Sequence, residues 1–140
     1  MKILLAVDGS HVTKRMLSYI AAHDELLGPG HEYTLVTVIP PVPTYAATFL
    51  EAKTLDMHYR EEAEKVFHPI RSFSEQQGWN VKLVHASGHA AEVIAALAES
   101  GHADLVVMGA HGHSSLGNVV LGSVATGVLA RCKVPVLLIR

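Results

Sequence analysis

Gly109, Gly112, Gly122 and Ser123 are spaced as G-x-x-G-x9-G-S, and the pattern begins where an apolar run, Leu105-Val106-Val107-Met108, stops. Glycines let the main chain turn tightly and come close to a ligand. Successive N–H groups in such a turn form a nest for an anion. A helix start adds N–H groups with no intrahelical partner and a partial positive charge. A strand, a glycine corner with Ser114 and Ser115 in its loop, and a helix opening near Ser123 together suit phosphate. A lone G-x-x-G is common, so the weight lies on the second signal at Gly122-Ser123.

Other chemistry finds less support. Ten histidines raise the question of a metal, and His111 with His113 is the tightest pair. Two ligands do not make a zinc site, and the single cysteine, Cys132, falls elsewhere. Both histidines read as loop residues, and no metal ligands are assigned. The G-x-x-x-x-G-K-[ST] phosphate loop is absent. Ser114 and Ser115 have histidines nearby but no orienting acid or nucleophile elbow, so no catalytic residue is assigned. Cys132 reads as a packing residue.

The elements that must hold the glycine corner alternate. Ile3 to Val7 is a short, continuous apolar run, as expected of a parallel strand covered on both faces. It ends at Asp8-Gly9-Ser10, and Val12, Met16, Tyr19 and Ile20 then recur at helical spacing, with Ser10 a candidate N-cap and Gly28-Pro29-Gly30 a stop. Tyr33 to Ile39 reads as the second strand, closed by Pro40, Pro41 and Pro43. A long helical pattern runs from about Leu50 to Gln77, with Pro69 predicting a kink or break near Phe67-His68. Val81 to Ala86, interrupted by Lys82 and His85, reads as an edge strand. A helix from Ala90 to about Ser100 with Gly101 as its cap, the fourth strand, a helix from about Ser123 to Cys132 and a last strand from Val134 to Ile139 complete the chain. This predicts one α/β domain over residues 1–140: a doubly wound, five-stranded parallel sheet with helices on both faces. Order 3-2-1-4-5 would put the polar third strand outside and bring Asp8 and the glycine corner to one cleft. The apolar fifth strand would then form an edge that either pairs with a second copy, giving a homodimer through Val134 to Ile139, or is covered by another helix or loop.

Composition narrows the class further. With 140 residues and 49% hydrophobic content the chain can bury a core, and a net charge of −2 gives no general reason to bind nucleic acid or an anionic membrane. One cysteine excludes an internal disulfide and fits a reducing compartment. The opening Met1-Lys2-Ile3 enters a strand rather than a secretory signal, and no apolar run matches a bilayer span, so a cytoplasmic protein without membrane association is expected.

Five segments in order resemble the nucleotide-binding branch of the universal stress protein family. They are the opening strand ending in Asp8, a second strand ending in Val38-Ile39-Pro40, the run from Ala103 to Gly109, the glycine pattern, and the closing Val134-Pro135-Val136-Leu137-Leu138-Ile139. The resemblance implies ATP as ligand, with a magnesium or manganese ion held through the phosphates. It implies Asp8 as an acceptor for the base or ribose, and main chain at Ala6, Val7 and Val38 framing them. Met108 and Gly109 would lie beside the ribose, and Gly112, Gly122, Ser123, Val124 and Ala125 around the phosphates. Ala125 stands where some members have a hydroxyl residue. His113 stands where a basic residue is common, so any charge it adds depends on pH. Asp8 could equally cap the first helix, and Ser123 could be only an N-cap. The expected role is a dimeric, nucleotide-dependent regulator of a stress response. The rivals are a slow ATPase or nucleotide-dependent transferase, and a nucleotide-free dimerisation module of the same fold.

Overall fold

The computed structural model describes residues 1–113 and 120–140; Ser114 and Ser115 lie outside them. Strand β1 (Lys2–Ala6) leads to helix α1 (His11–Ala22) and the short α2 (Asp24–Leu27). Then come β2 (Glu32–Ile39), α3 (Thr44–Ala47), α4 (Ala52–Gln76), β3 (Asn80–Ser87) and α5 (Ala90–Ser100). The chain ends through β4 (Leu105–Gly109), α6 (Ser123–Arg131) and β5 (Val136–Ile139). The sheet order is β3-β2-β1-β4-β5, every pair parallel, as the sequence predicts.

Each apolar run divides between two cores because alternate side chains of a strand leave on opposite faces. Ile3, Leu5, Val7, Leu35 and Val107 pack with Met16, Leu17 and Ile20 of α1 and with Ala63, Phe67 and Ile70 of α4. Leu4, Val36, Val106 and Met108 pack on the other face with Ala91, Ile94 and Ala98 of α5 and with Ala125 and Val128 of α6. Leu5 is wholly buried, and such burial contributes about 1.5–3 kcal/mol. Both faces of β1 and β4 are therefore covered, and these strands need no polar alternation. At the far end of the first core, the buried Tyr33 hydroxyl meets the carbonyls of Leu27 and Gly28. Burial pushes that phenol up to about 12, so it stays a donor.

Four local expectations are corrected. Helix α4 continues through Pro69 without a break. Pro69 and Lys65, whose carbonyl loses its donor, are exposed, while Ala63, Phe67, Ile70 and Ser74 are buried on the opposite stripe, so water meets the freed carbonyl and packing keeps the helix whole. Ser10 holds the N-cap position of α1, but its buried hydroxyl makes no cap bond and no hydrogen bond to another of the described residues. The N-cap of α6 is Gly122, with Ser123 the first helical residue. The C-cap of α5 is Gly101, as expected, in a right-handed conformation, and the left-handed residue is the His102 that follows, with φ 51°. The last strand spans Val136–Ile139 rather than beginning at Val134.

Candidate functional site

Because β1 and β4 are parallel neighbours, with Ala6 beside Met108, their carboxyl ends emerge together. From β1 the chain winds toward β2, and from β4 toward β5, so the winding reverses between them. That reversal opens a crevice at the strand ends.

At the tip of β1, Gly9 takes φ +77°, a conformation that suits glycine. The turn folds Asp8 back onto the start of α1. Its Oδ1 accepts from the Ser10 N–H at 2.9 Å and from the Thr13 hydroxyl at 2.9 Å, and its own N–H donates to Thr13 Oγ1 at 3.1 Å. Burial raises the Asp8 carboxyl, but hydrogen bonds from Ser10 and Thr13 and the nearby His113 outweigh it and hold it below the usual carboxylate range. Its other oxygen, Oδ2, approaches Gly112, where an added Cβ would stand 2.8 Å away. Oδ1 thus makes the contacts within the turn and to Thr13, while Oδ2 is the oxygen nearer the glycine corner.

Across the crevice, the Gly122 N–H donates to the Ala110 carbonyl at 2.7 Å, and the Ala110 N–H donates to Ile139 at 2.7 Å. These two bonds set the start of α6 against the end of β4. His113 reaches back over the gap and places Nε2 2.6 Å from the Asp8 carbonyl oxygen. The result is a cavity of about 650 Å³. Ala6, Val7, Asp8, Val38, Met108, Gly109, Gly112, His113, Gly122, Ser123, Val124 and Ala125 all line it. All twelve residues that the resemblance assigns to the nucleotide site thus line this one crevice.

The universal stress protein family model matches residues 1–140. The chain belongs to that family. A universal stress protein of Thermus aquaticus is 34% identical over 99% of this chain and 97% of its own length. Universal stress protein Slr1230 of Synechocystis is 30% identical over 99% of this chain, which spans only 42% of that relative. Among solved structures, MJ0577 of Methanocaldococcus jannaschii superposes with a TM-score of 0.82 at 30% identity, covering 99% of this chain and 94% of that one. The Archaeoglobus fulgidus universal stress protein in complex with dAMP shares the fold, with a TM-score of 0.70 at 21% identity over 100% of this chain and 98% of that one.

In this universal stress protein the cavity also has walls that local sequence reasoning did not name. Thr13 and Thr37 add hydroxyls, and Val66 and Glu62 arrive from α4. Val66 covers the β1 tip, 3.5 Å from where a Gly9 Cβ would sit, and Glu62 lies one turn earlier on the same helix face. The Glu62 carboxylate accepts from Lys65 at 2.5 Å, which holds its carboxyl below the usual range. In the sequence Val66 recurs at helical spacing with Tyr59, Ala63, Ile70 and Phe73, but only the packing of α4 over β1 turns it toward the crevice. No group of three His, Cys, Asp or Glu gathers among the described residues. No helix among them is long and apolar enough to cross a membrane.

Proposed function

We propose that this universal stress protein binds ATP, with magnesium or manganese carried on the phosphates, and acts as a nucleotide-dependent stress-response regulator. The observation that carries this reading is the junction of the β1 tip, the glycine corner and the first turn of α6 around one cavity large enough for a nucleotide. The main-chain donors of the α6 start suit an anionic tail, and Asp8 Oδ2 is an acceptor suited to hydroxyl or amino groups of the nucleoside. Val38, Ala6 and Val7 frame the base and ribose, Met108 and Gly109 flank the sugar, and Gly112, Gly122, Ser123, Val124 and Ala125 surround the phosphates. The Archaeoglobus protein of the same fold was solved in complex with dAMP, which supports a nucleotide as the class of ligand. The divalent ion would rest on phosphates and water, which needs no dedicated protein cage. The regulator works in the cytoplasm, as a homodimer joined along β5.

Isothermal titration with ATP and magnesium tests the reading, alongside Val124→Glu. Val124 is exposed in the first turn of α6, so the variant should fold while setting a carboxylate against the phosphates. ATP should bind the native chain, and the variant should bind at least about tenfold more weakly with an unchanged melting temperature. No binding at millimolar ATP, or equal binding by both proteins, would overturn it.

A further inference from the structure

Residues four apart on a helix line up along its surface. On the solvent side of α1, Arg15, Tyr19 and His23 form one such row, and Lys14 begins the next, where the short Ser18 and Ala22 leave room. Ile139 and Arg140, at the end of β5, close the other side. The space between them is a groove of about 470 Å³ that shares no lining residue with the nucleotide cavity.

The fixed charge of this groove has one sign. Lys14, Arg15 and Arg140 line it, and no Asp or Glu does so among the described residues. Arg60, Lys65, Arg71 and Arg131 each meet a carboxylate, whereas the three groove cations pair with none among the described residues. The chain as a whole carries a net charge of −2, so a generally basic surface does not account for the cluster. Like charges gathered in one groove repel, and a ligand with several negative charges relieves that repulsion while accepting charge-assisted hydrogen bonds. The aromatic part of the wall is held in place. The Tyr19 and His23 rings stack with centroids 4.1 Å apart, and His23 Nδ1 donates to the Tyr19 carbonyl at 2.7 Å.

We infer that this groove is a second ligand site, for a compact polyphosphate. The guanidinium forks of Arg15 and Arg140 and the Lys14 ammonium hold its phosphates, and the exposed Tyr19 ring offers a face to any ring carried on them. The volume is that of a small-molecule site. Three cations within it call for charge denser than the single carboxylates of an acidic peptide supply. The inference stands apart from the nucleotide reading above, because it uses other residues on another surface.

The test follows amide shifts in nitrogen-labelled protein as sodium tripolyphosphate, or ATP, is added at low salt. The proteins are the native chain, Val124→Glu, Arg15→Lys, Tyr19→Ala and the double variant Arg15→Glu with Arg140→Glu. The groove positions are exposed, and melting curves check that each variant folds. Tripolyphosphate should shift Arg15, Tyr19, His23 and Arg140 in the native chain and, with the same affinity, in Val124→Glu. The double variant should weaken binding at least about tenfold, and Arg15→Lys should keep it within about threefold. Raising salt from about 20 to about 200 mM should weaken it about tenfold. ATP bound at the groove more tightly than tripolyphosphate, with the excess lost in Tyr19→Ala, assigns the phosphates to a nucleotide; equal affinities that ignore Tyr19→Ala assign them to free polyphosphate. Absence of groove shifts at millimolar tripolyphosphate overturns the inference. So do indifference to the charge reversals and equal shifts at Lys53 and Lys82, which line neither the groove nor the cavity. Groove shifts without any ATP response at the cavity overturn the nucleotide reading and leave this inference standing.

Discussion

Packing alone already demands glycine in the G-x-x-G-x9-G-S pattern, and Gly109 shows this most clearly. A Cβ there would stand 2.5 Å from Val12 Cγ1 and 2.8 Å from the His111 carbonyl oxygen. The first turn of α1 therefore packs directly onto the end of β4, and the absence of a side chain is required before any ligand arrives. Gly109→Ala should destabilise the fold by about 1–3 kcal/mol in urea denaturation, with ligand absent. Gly30→Ala is the matched control: nothing lies within 4 Å of its added methyl and its φ is not positive, so stability should hold or rise by about 0.4–1 kcal/mol. Equal stability of the two variants would refute the packing argument. At Asp8 the turn contacts and the proposed ligand contact could not be divided from the sequence, because they would use two oxygens of the same group.

At the scale of elements, apolar periodicity located every strand and the longer helices, and its failures have local causes. Helix α3 follows Pro43, in a stretch whose prolines read as a loop, and four residues are too few to display a helical repeat. The break expected in α4 does not occur because Pro69 faces solvent while buried side chains hold both sides of it. Restoring the missing donor should therefore strengthen the helix. Pro69→Ala is expected to raise stability by about 1–2 kcal/mol, the helix gain offset in part by a freer unfolded chain. A fall in the denaturation midpoint would show that the proline is needed for the path of α4 over β1, and with it for the Glu62 and Val66 wall.

For the whole molecule, the sheet order leaves β3 and β5 as edges, and the two differ in character. β3 alternates half-buried and exposed residues, with Lys82 and His85 turned outward. β5 is apolar: Leu137 packs toward the α1 face, and Val136 and Leu138 toward the α6 face. Its pairing with β4 uses the carbonyls of Pro135 and Ile139, which accept from Val106 and Ala110. By the alternation of a parallel ladder, Val136 and Leu138 turn their main-chain groups to the open edge. If the proposed homodimer pairs along β5, Leu138→Pro removes an outward donor while sparing the bonds to β4. Sedimentation should then show a monomer that retains the native circular dichroism. A dimer that persists would move the interface away from this edge.

Local chemistry in the chain determined the alternation of strands and helices, the buried character of β1 and β4, and the glycine corner. These follow from propensity and periodicity acting over a few residues. The tertiary structure decided what met what: Ala6 beside Met108, Val12 against Gly109, Thr13 on Asp8, and α4 folded over the β1 tip to bring in Glu62. Those contacts join segments far apart in the chain, and their partners are selected by the packing of both faces of one sheet, which no local window of sequence contains.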